Sequence, residues 1–542
     1  VFLPTVRSTS ATRHDVVIVG SGVGGAAAAN VLVRAGLRVL MLEWGSRVQR
    51  GGHNWASDAV LLLSPHYTTE SPYLIRGDDR GVMGSFHCVG GQAVFFGGVA
   101  LRMREWDFDA DPDISQGRDG AWPFGYDTLE PYYAQAEELL EVAGDDTSDP
   151  TAPWRATPYP HTPAPLQGPA LPVRDAARRL GLTPVPLPLA IRQHEASSPG
   201  KACVRCGTCD GYACAIEAKR DPSTAILPAL EARGLILKPN TVVVRLLRRG
   251  DRVLGVECVD RTTGRHTVEV GGQYVLAAGA LASPRLVLAS GLHASSPAGE
   301  WVGRCLMRHC NSIVYGVFKK PLEGARAFHK QIGIMDLYGG NGRGPKLGCI
   351  QSIHPPPPGL VRARAPALLG RLAEPLADRC TGLLSIAEDQ PRPENGVTLD
   401  PRRTDRFGVP LGVVEHRYTW RDVKARLSLT RVARAVLLEA GAAFTFVVRI
   451  GTFSHALGTL RMGADPRTSP LDPWGRFRGL DNLWVADGSV LPRAGGVNPS
   501  LTIAAAALRT AERLAGVRRP SLTGRRRERA TEPVRATPGG AG

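Results

Sequence analysis

Three glycines at G-x-G-x-x-G spacing, Gly20, Gly22 and Gly25, follow an apolar run at 16–19 and open a small-residue stretch at 25–35. In a strand–turn–helix each has its own task. Gly20 allows the tight turn, Gly22 admits a pyrophosphate to the backbone, and Gly25 lets helix and strand pack closely. The phosphate charge then rests at the positive end of the helix. A second apolar run at 38–43 completes a β-α-β unit. It ends on Glu43, 18 residues past Gly25, where a carboxylate can accept from ribose hydroxyls. A Gly-rich turn alone can mimic this spacing, but the strand before, the helix after and the acid downstream together point to a dinucleotide. An acid at that place disfavours a 2′-phosphate, which leaves FAD and NAD both open on this segment.

At 542 residues the chain exceeds one simple core and is expected to divide into about two domains. The apolar stretch at 16–33 is about a bilayer's length, but its glycines break it into strand, turn and helix, so no membrane span is expected. The first residues lack a basic segment, an unbroken apolar core and a small-residue cleavage site, which makes a cytoplasmic protein the default. The formal charge of +16 is carried in part by the segment after Val517, where seven arginines stand against Glu528 and Glu532. That tail, 516–542, is rich in Pro and Gly without an apolar period and reads as disordered and solvated. No aromatic-interleaved basic motif for nucleic acid accompanies it.

Further along, 88–98 is a Gly-rich loop, and 145–200 is dense in Pro, Thr and Ser and reads as an irregular excursion. The stretch 237–260 alternates like an antiparallel hairpin, and 273–291 reads as strand, turn and helix. Alternating strands recur over 311–450, and 451–515 returns to Gly-rich turns and an Ala-rich helix. An isolated histidine carries little weight, but His455 stands in the Gly-punctuated "SHALGTLRMG". Asp487 follows in "ADGSV", and Asn498 immediately precedes Pro499 and a helix start near Ser500. A helix N-terminus directed at a flavin ring can stabilise negative charge on it.

Six ordered segments carry a resemblance to the glucose–methanol–choline (GMC) oxidoreductases, FAD-dependent alcohol oxidases and dehydrogenases. They are "VVIVGSGVGG", "VGGQAVFFGG", "YVLAAGALASPRLVLASG", "WVGRCLMRH", "EDQPRPENGVTLD" and the final "H…GT.RMG…NLWVADGSVLP…GVNPSLTI". The resemblance covers most of the chain. It implies an α/β fold: an FAD-binding Rossmann-like domain from 11–110, 200–310 and 451–515, and a substrate domain of antiparallel sheet and helices from 111–199 and 311–450. It implies His455 and Asn498 as the catalytic pair, with the substrate hydroxyl proton moving toward His455 and a hydride leaving for flavin N5. Its implied FAD contacts are Gly20, Ser21, Gly22, Gly24, Gly25, Glu43, Trp44, Gly90, Gly91, Val243, Ala278, Gly279, Asp487, Gly488, Asn498, Pro499 and Ser500. The substrate is a small-molecule alcohol, and the electron acceptor is dioxygen or an external acceptor.

Two departures from the family matter. Some members bond the flavin covalently to a histidine where this chain has Phe95, so FAD is expected to be non-covalent. Cys203, Cys206, Cys209 and Cys214 form C-x2-C-x2-C-x4-C, near the ferredoxin pattern but lacking its last spacing and its Pro. An iron–sulfur cluster, zinc, or a bland loop of reduced thiols or one local disulfide are the readings. Glu388 and Asp389 are candidate substrate carboxylates, with a structural role as the alternative. The whole resembles members that oxidise the primary alcohol (the 6′-hydroxyl) of aminoglycoside intermediates in antibiotic biosynthesis. The competing readings are oxidation of another sugar or a sterol-type alcohol, and a dehydrogenase passing electrons through a Cys-bound cluster.

Overall fold

The computed structural model describes residues 13–517, apart from 57–59, 61–65, 67–70, 78–85, 116–119, 195–201, 340–345, 365–369 and 371–372. The expectation for the tail therefore lies outside the described residues from 518 onward.

The apolar runs read at 16–19 and 38–43 are strands His14–Val19 and Val39–Leu42, joined through helix Val23–Arg34. They are two members of a five-stranded parallel sheet. Its order is Leu483–Val485, Gly271–Leu276, His14–Val19, Val39–Leu42 and Ile236–Lys238. Strands this apolar need cover on both faces. On one face the helix supplies it with Ala26 to Ala29, each at most 1% exposed. These small side chains let helix Ser500–Ala515 lie close against it, with its own Ala504 to Ala507 buried. Helix Tyr126–Leu139 packs on that second helix, where Tyr133 Oη and Thr502 Oγ1 share a 2.9 Å hydrogen bond.

A six-stranded antiparallel sheet has the order Ala442–Arg449, Ser312–Phe318, Cys380–Ala387, Gly348–Ile353, Ile332–Ile334 and Pro184–Pro186. Its two faces separate by strand alternation. Val314, Ile350 and Leu383 meet Ala425, Leu429, Ala433 and Leu437, a four-residue stripe on helix Trp420–Glu439. Thr419 and Asp422 cap that helix reciprocally. The opposite face, with Ile313, Tyr315, Leu384 and Ile386, belongs to the core shared with the parallel sheet. The expected hairpin is Thr241–Arg249 with Arg252–Asp260, extended by His266–Glu269. Region 145–200 is a correction: it contains helix Ala170–Arg179 and strand Pro184–Pro186. Ala170, Val173, Ala176 and Ala177 bury one face of that helix, whose helical spacing the surrounding prolines obscure.

Among the described residues no helix is long and apolar enough to cross a membrane.

Candidate active site

A cleft opens at the carboxyl ends of the parallel strands, where open α/β sheets bind ligands. It holds about 1470 Å³ of non-atom space, its mouth included. The backbone explains its floor. Gly20 has φ +105°, and a Cβ there would lie 2.3 Å from the Ala277 carbonyl oxygen. A Cβ on Gly25 would lie 2.1 Å from the Gly20 oxygen. Gly22 differs, because the nearest atom to its added Cβ is the Gly91 Cα at 4.0 Å. The outer glycines serve the protein's own packing, and the middle one leaves bare backbone facing the cleft. Neither helix that starts here, at Val23 or Ser500, has an acid in its first turn. An anionic pyrophosphate fits this strip.

Glu43 ties the loops around it. Its carboxylate accepts from Ser21 N (3.0 Å), Ser21 Oγ (2.7 Å) and Gly45 N (2.9 Å). Ser21 Oγ in turn accepts from Gly90 N at 3.0 Å. Burial pushes the Glu43 pKa up while these donors oppose it. Beyond Glu43, Trp44 stacks on His87 at 4.5 Å between centroids, and Thr241 and Val243 line the same end. Burial lowers the His87 pKa to about 4, so it stacks as a neutral ring. Asp487 braces the middle of the cleft, accepting from Gly279 N, Ser283 Oγ and Ser489 N.

Of the cofactor positions expected from sequence, Gly20, Ser21, Gly22, Gly24, Glu43, Trp44, Gly91, Val243, Ala278, Gly279, Asp487, Gly488, Pro499 and Ser500 line the cleft. Gly25, Gly90 and Asn498 are not among the residues that line it. His455 lines the far end together with Phe453 and Ser454. Its Nδ1 lies 2.9 Å from His309 Nδ1, and His309 Nε2 lies 2.9 Å from the Gly495 carbonyl. Burial, with His309 and Lys330 adding to it, holds the His455 pKa well below the ordinary imidazole value. Asn498, three residues past Gly495, accepts at Oδ1 from Gln351 Nε2 at 2.7 Å. Gln351 hangs from the antiparallel sheet on the face that carries Cys349 and Ile353. His309 and Gln351 were not anticipated. His309 ends the segment "WVGRCLMRH", and only its contact 146 residues away reveals what it does.

Two expectations are corrected. Glu388 and Asp389 are 2% and 1% exposed and do not face the cleft. Glu388 pairs with Arg493 at 2.9 and 3.0 Å and accepts from Gly495 N at 3.0 Å. Asp389 accepts from Arg308 N and His309 N, both at 2.9 Å, and lies 3.1 Å from His416 Nε2. Against burial, the His416 ring helps hold Asp389 below the usual carboxylate range.

The second correction concerns the cysteines. No group of three potential metal ligands assembles among the described residues, and Cys203, Cys206, Cys209 and Cys214 are free thiols. Burial pushes the Cys203 thiol up to about 11 and the Cys209 thiol up as well. What pins this loop is Lys219, 1% exposed. Its ammonium donates to the Phe96, Cys209 and Tyr212 carbonyls at 2.8, 2.9 and 2.6 Å.

Comparison with known proteins agrees with this geometry. Residues 87–311 and 391–507 match GMC oxidoreductase domains, N- and C-terminal respectively. The chain is 32% identical to paromamine 6'-oxidase of Streptomyces fradiae, covering 93% of this chain and 91% of that one. It is 31% identical to 6'''-hydroxyparomomycin C oxidase of Streptomyces lividus, covering 92% and 91%. In fold it is similar to pyridoxine 4-oxidase from Mesorbium loti, with TM-score 0.65 at 20% identity over 92% of this chain and 99% of that one. With both domain matches in place and relatives aligned over nearly their whole length, the chain belongs to the GMC oxidoreductase family.

Proposed function

We propose that this FAD-dependent enzyme oxidises the primary 6′-hydroxyl of an aminoglycoside intermediate in antibiotic biosynthesis to a carbonyl. In this reading 11–110, 200–310 and 451–515 carry the cofactor, and 111–199 and 311–450 shape the alcohol's side. FAD, when bound, supplies the two-electron acceptor that takes hydride from the carbinol carbon. His455 Nε2 takes the hydroxyl proton, a task suited to an imidazole held neutral by burial. Asn498 orients the same oxygen: with Oδ1 occupied by Gln351, its Nδ2 remains to donate.

The observation that carries the reading is the continuity of one cleft from the Gly20–Gly24 turn to His455, although the two are more than 400 residues apart in sequence. The substrate class rests on the two aminoglycoside oxidases at 31–32% identity. Because Glu388 and Asp389 face inward, the substrate's amines must be met by other groups. The test is anaerobic bleaching of the flavin by a panel of aminosugars, neutral sugars and sterols, followed by readmission of air. Paromamine-like pseudodisaccharides should bleach it fastest, and return of the yellow colour in air marks dioxygen as acceptor. Equal bleaching by simple aliphatic alcohols would overturn the substrate assignment.

A further inference from the structure

We propose that His309 is a positioning residue that holds His455 in the Nδ1–H tautomer, and that the consecutive acids Glu388 and Asp389 clamp Gly495 and His309, the two ends of the contact that anchors the His309 ring. The inference rests on the reading of His455 as the base.

The proton inventory is short. A backbone carbonyl only accepts, so His309 Nε2, 2.9 Å from the Gly495 oxygen, carries a hydrogen. In a neutral ring the other nitrogen is then an acceptor, and what faces it at 2.9 Å is His455 Nδ1, which must donate. His455 Nε2 is left with its lone pair on the cleft side. The reverse arrangement needs an imidazolium at His309, a ring 1% exposed whose two nitrogens meet only a carbonyl and another imidazole. Neither of those partners offers the ring a carboxylate.

The backbone shows that this ring is held in place. His309 has φ +62°, a left-handed conformation uncommon for a side-chain-bearing residue. Its amide and that of Arg308 both donate to Asp389, and its carbonyl accepts from Tyr418 Oη at 2.8 Å. Glu388, one residue earlier, holds the amide of Gly495, whose carbonyl receives the His309 proton. Strain of this kind persists only where surrounding bonds over-determine it. Here they over-determine the ring that sets His455. When the substrate hydroxyl gives its proton to His455 Nε2, the ring becomes an imidazolium. It keeps its Nδ1–H on His309, so no bond in the relay has to break.

The test uses holoenzyme carrying 15N-histidine, with the His455 signals assigned by their loss in His455→Gln. The wild-type ring should show a protonated Nδ1 and a bare Nε2, and His309→Leu should shift it toward the Nε2–H form. An Nε2–H ring in wild-type protein overturns the proposal whether or not any alcohol is oxidised, which separates its failure from failure of the function. Rapid-mixing flavin reduction supplies the second arm. His309→Leu should slow it about ten- to a hundred-fold. His309→Gln, which bears the same backbone strain but can still accept from His455, should recover most of that loss. Equal losses in both variants, or none in either, would refute the assignment.

Discussion

Gly24 and Ala486 meet backbone to backbone: a Cβ on Gly24 would stand 1.8 Å from the Ala486 carbonyl oxygen. The first turn of helix Val23–Arg34 and the turn after the last strand are therefore in contact, with no room for a methyl group. Gly22, two residues earlier, has open space toward the cleft. Gly24→Ala is expected to misfold or melt far below the parent. Gly22→Ala is expected to fold as apoprotein with an unchanged melting curve, yet bind FAD at least about tenfold more weakly, since the pyrophosphate must approach that backbone. Flavin-fluorescence titration beside thermal melts separates the two. Equal FAD affinity in Gly22→Ala and parent would refute the cradle.

Removing the base should affect reduction rather than binding. His455→Ala is expected to slow anaerobic flavin reduction by about 10²–10⁴-fold with the bound-flavin spectrum intact. The pH dependence has a definite sign. The working form of His455 is neutral, and burial, His309 and Lys330 lower its pKa while Asp389 opposes them weakly. Activity should persist as pH falls through 6.5 and be lost only well below it. An acid limb at or above 6.5 would contradict the buried, neutral ring.

Phe95, at the position expected from sequence to decide flavin attachment, offers no nucleophile. Acid precipitation is expected to release the yellow colour into the supernatant. Colour kept in the pellet would mean a covalent link through another residue.

Glu388 and Arg493 form a buried, bidentate pair with side chains 3% and 0% exposed. Glu388→Ala should destabilise the protein by about 3–5 kcal/mol by stranding the guanidinium. It should also slow turnover, since the Gly495 amide loses its acceptor. Chemical denaturation of Glu388→Ala, Arg493→Met and the double variant checks this. A double variant no more damaged than either single one is the expected outcome.

What could be read in advance follows a physical line. Gly20, Gly22 and Gly25 were legible because a strand–turn–helix is local: Gly20 takes a positive φ, Gly25 packs on the Gly20 carbonyl and Gly22 leaves its backbone bare, although the Ala277 carbonyl that also crowds Gly20 comes from far along the chain. Helix Trp420–Glu439 fell inside 311–450, where the sequence analysis placed recurring alternating strands, although its 425–429–433–437 stripe is periodic. Glu388 and Asp389 were misassigned because a carboxylate looks the same in sequence whether it meets a substrate amine or two backbone amides. The cysteines misled because thiol spacing says nothing of the buried Lys219 ammonium that draws the loop's carbonyls inward. His309 was invisible as a functional group, its meaning lying in a left-handed φ and a contact across 146 residues.

The order of strands in the parallel sheet has a consequence for biosynthesis. Strand His14–Val19 is followed closely in the chain by its neighbour Val39–Leu42, but its other neighbour, Gly271–Leu276, is made much later, and that strand's outer partner is Leu483–Val485. Throughout translation an apolar edge stays open, the kind of surface that invites mispairing and calls for a chaperone. The cleft itself is likewise complete only once the segment carrying Leu483–Val485, Asp487 and Gly488 has joined the strands that began it.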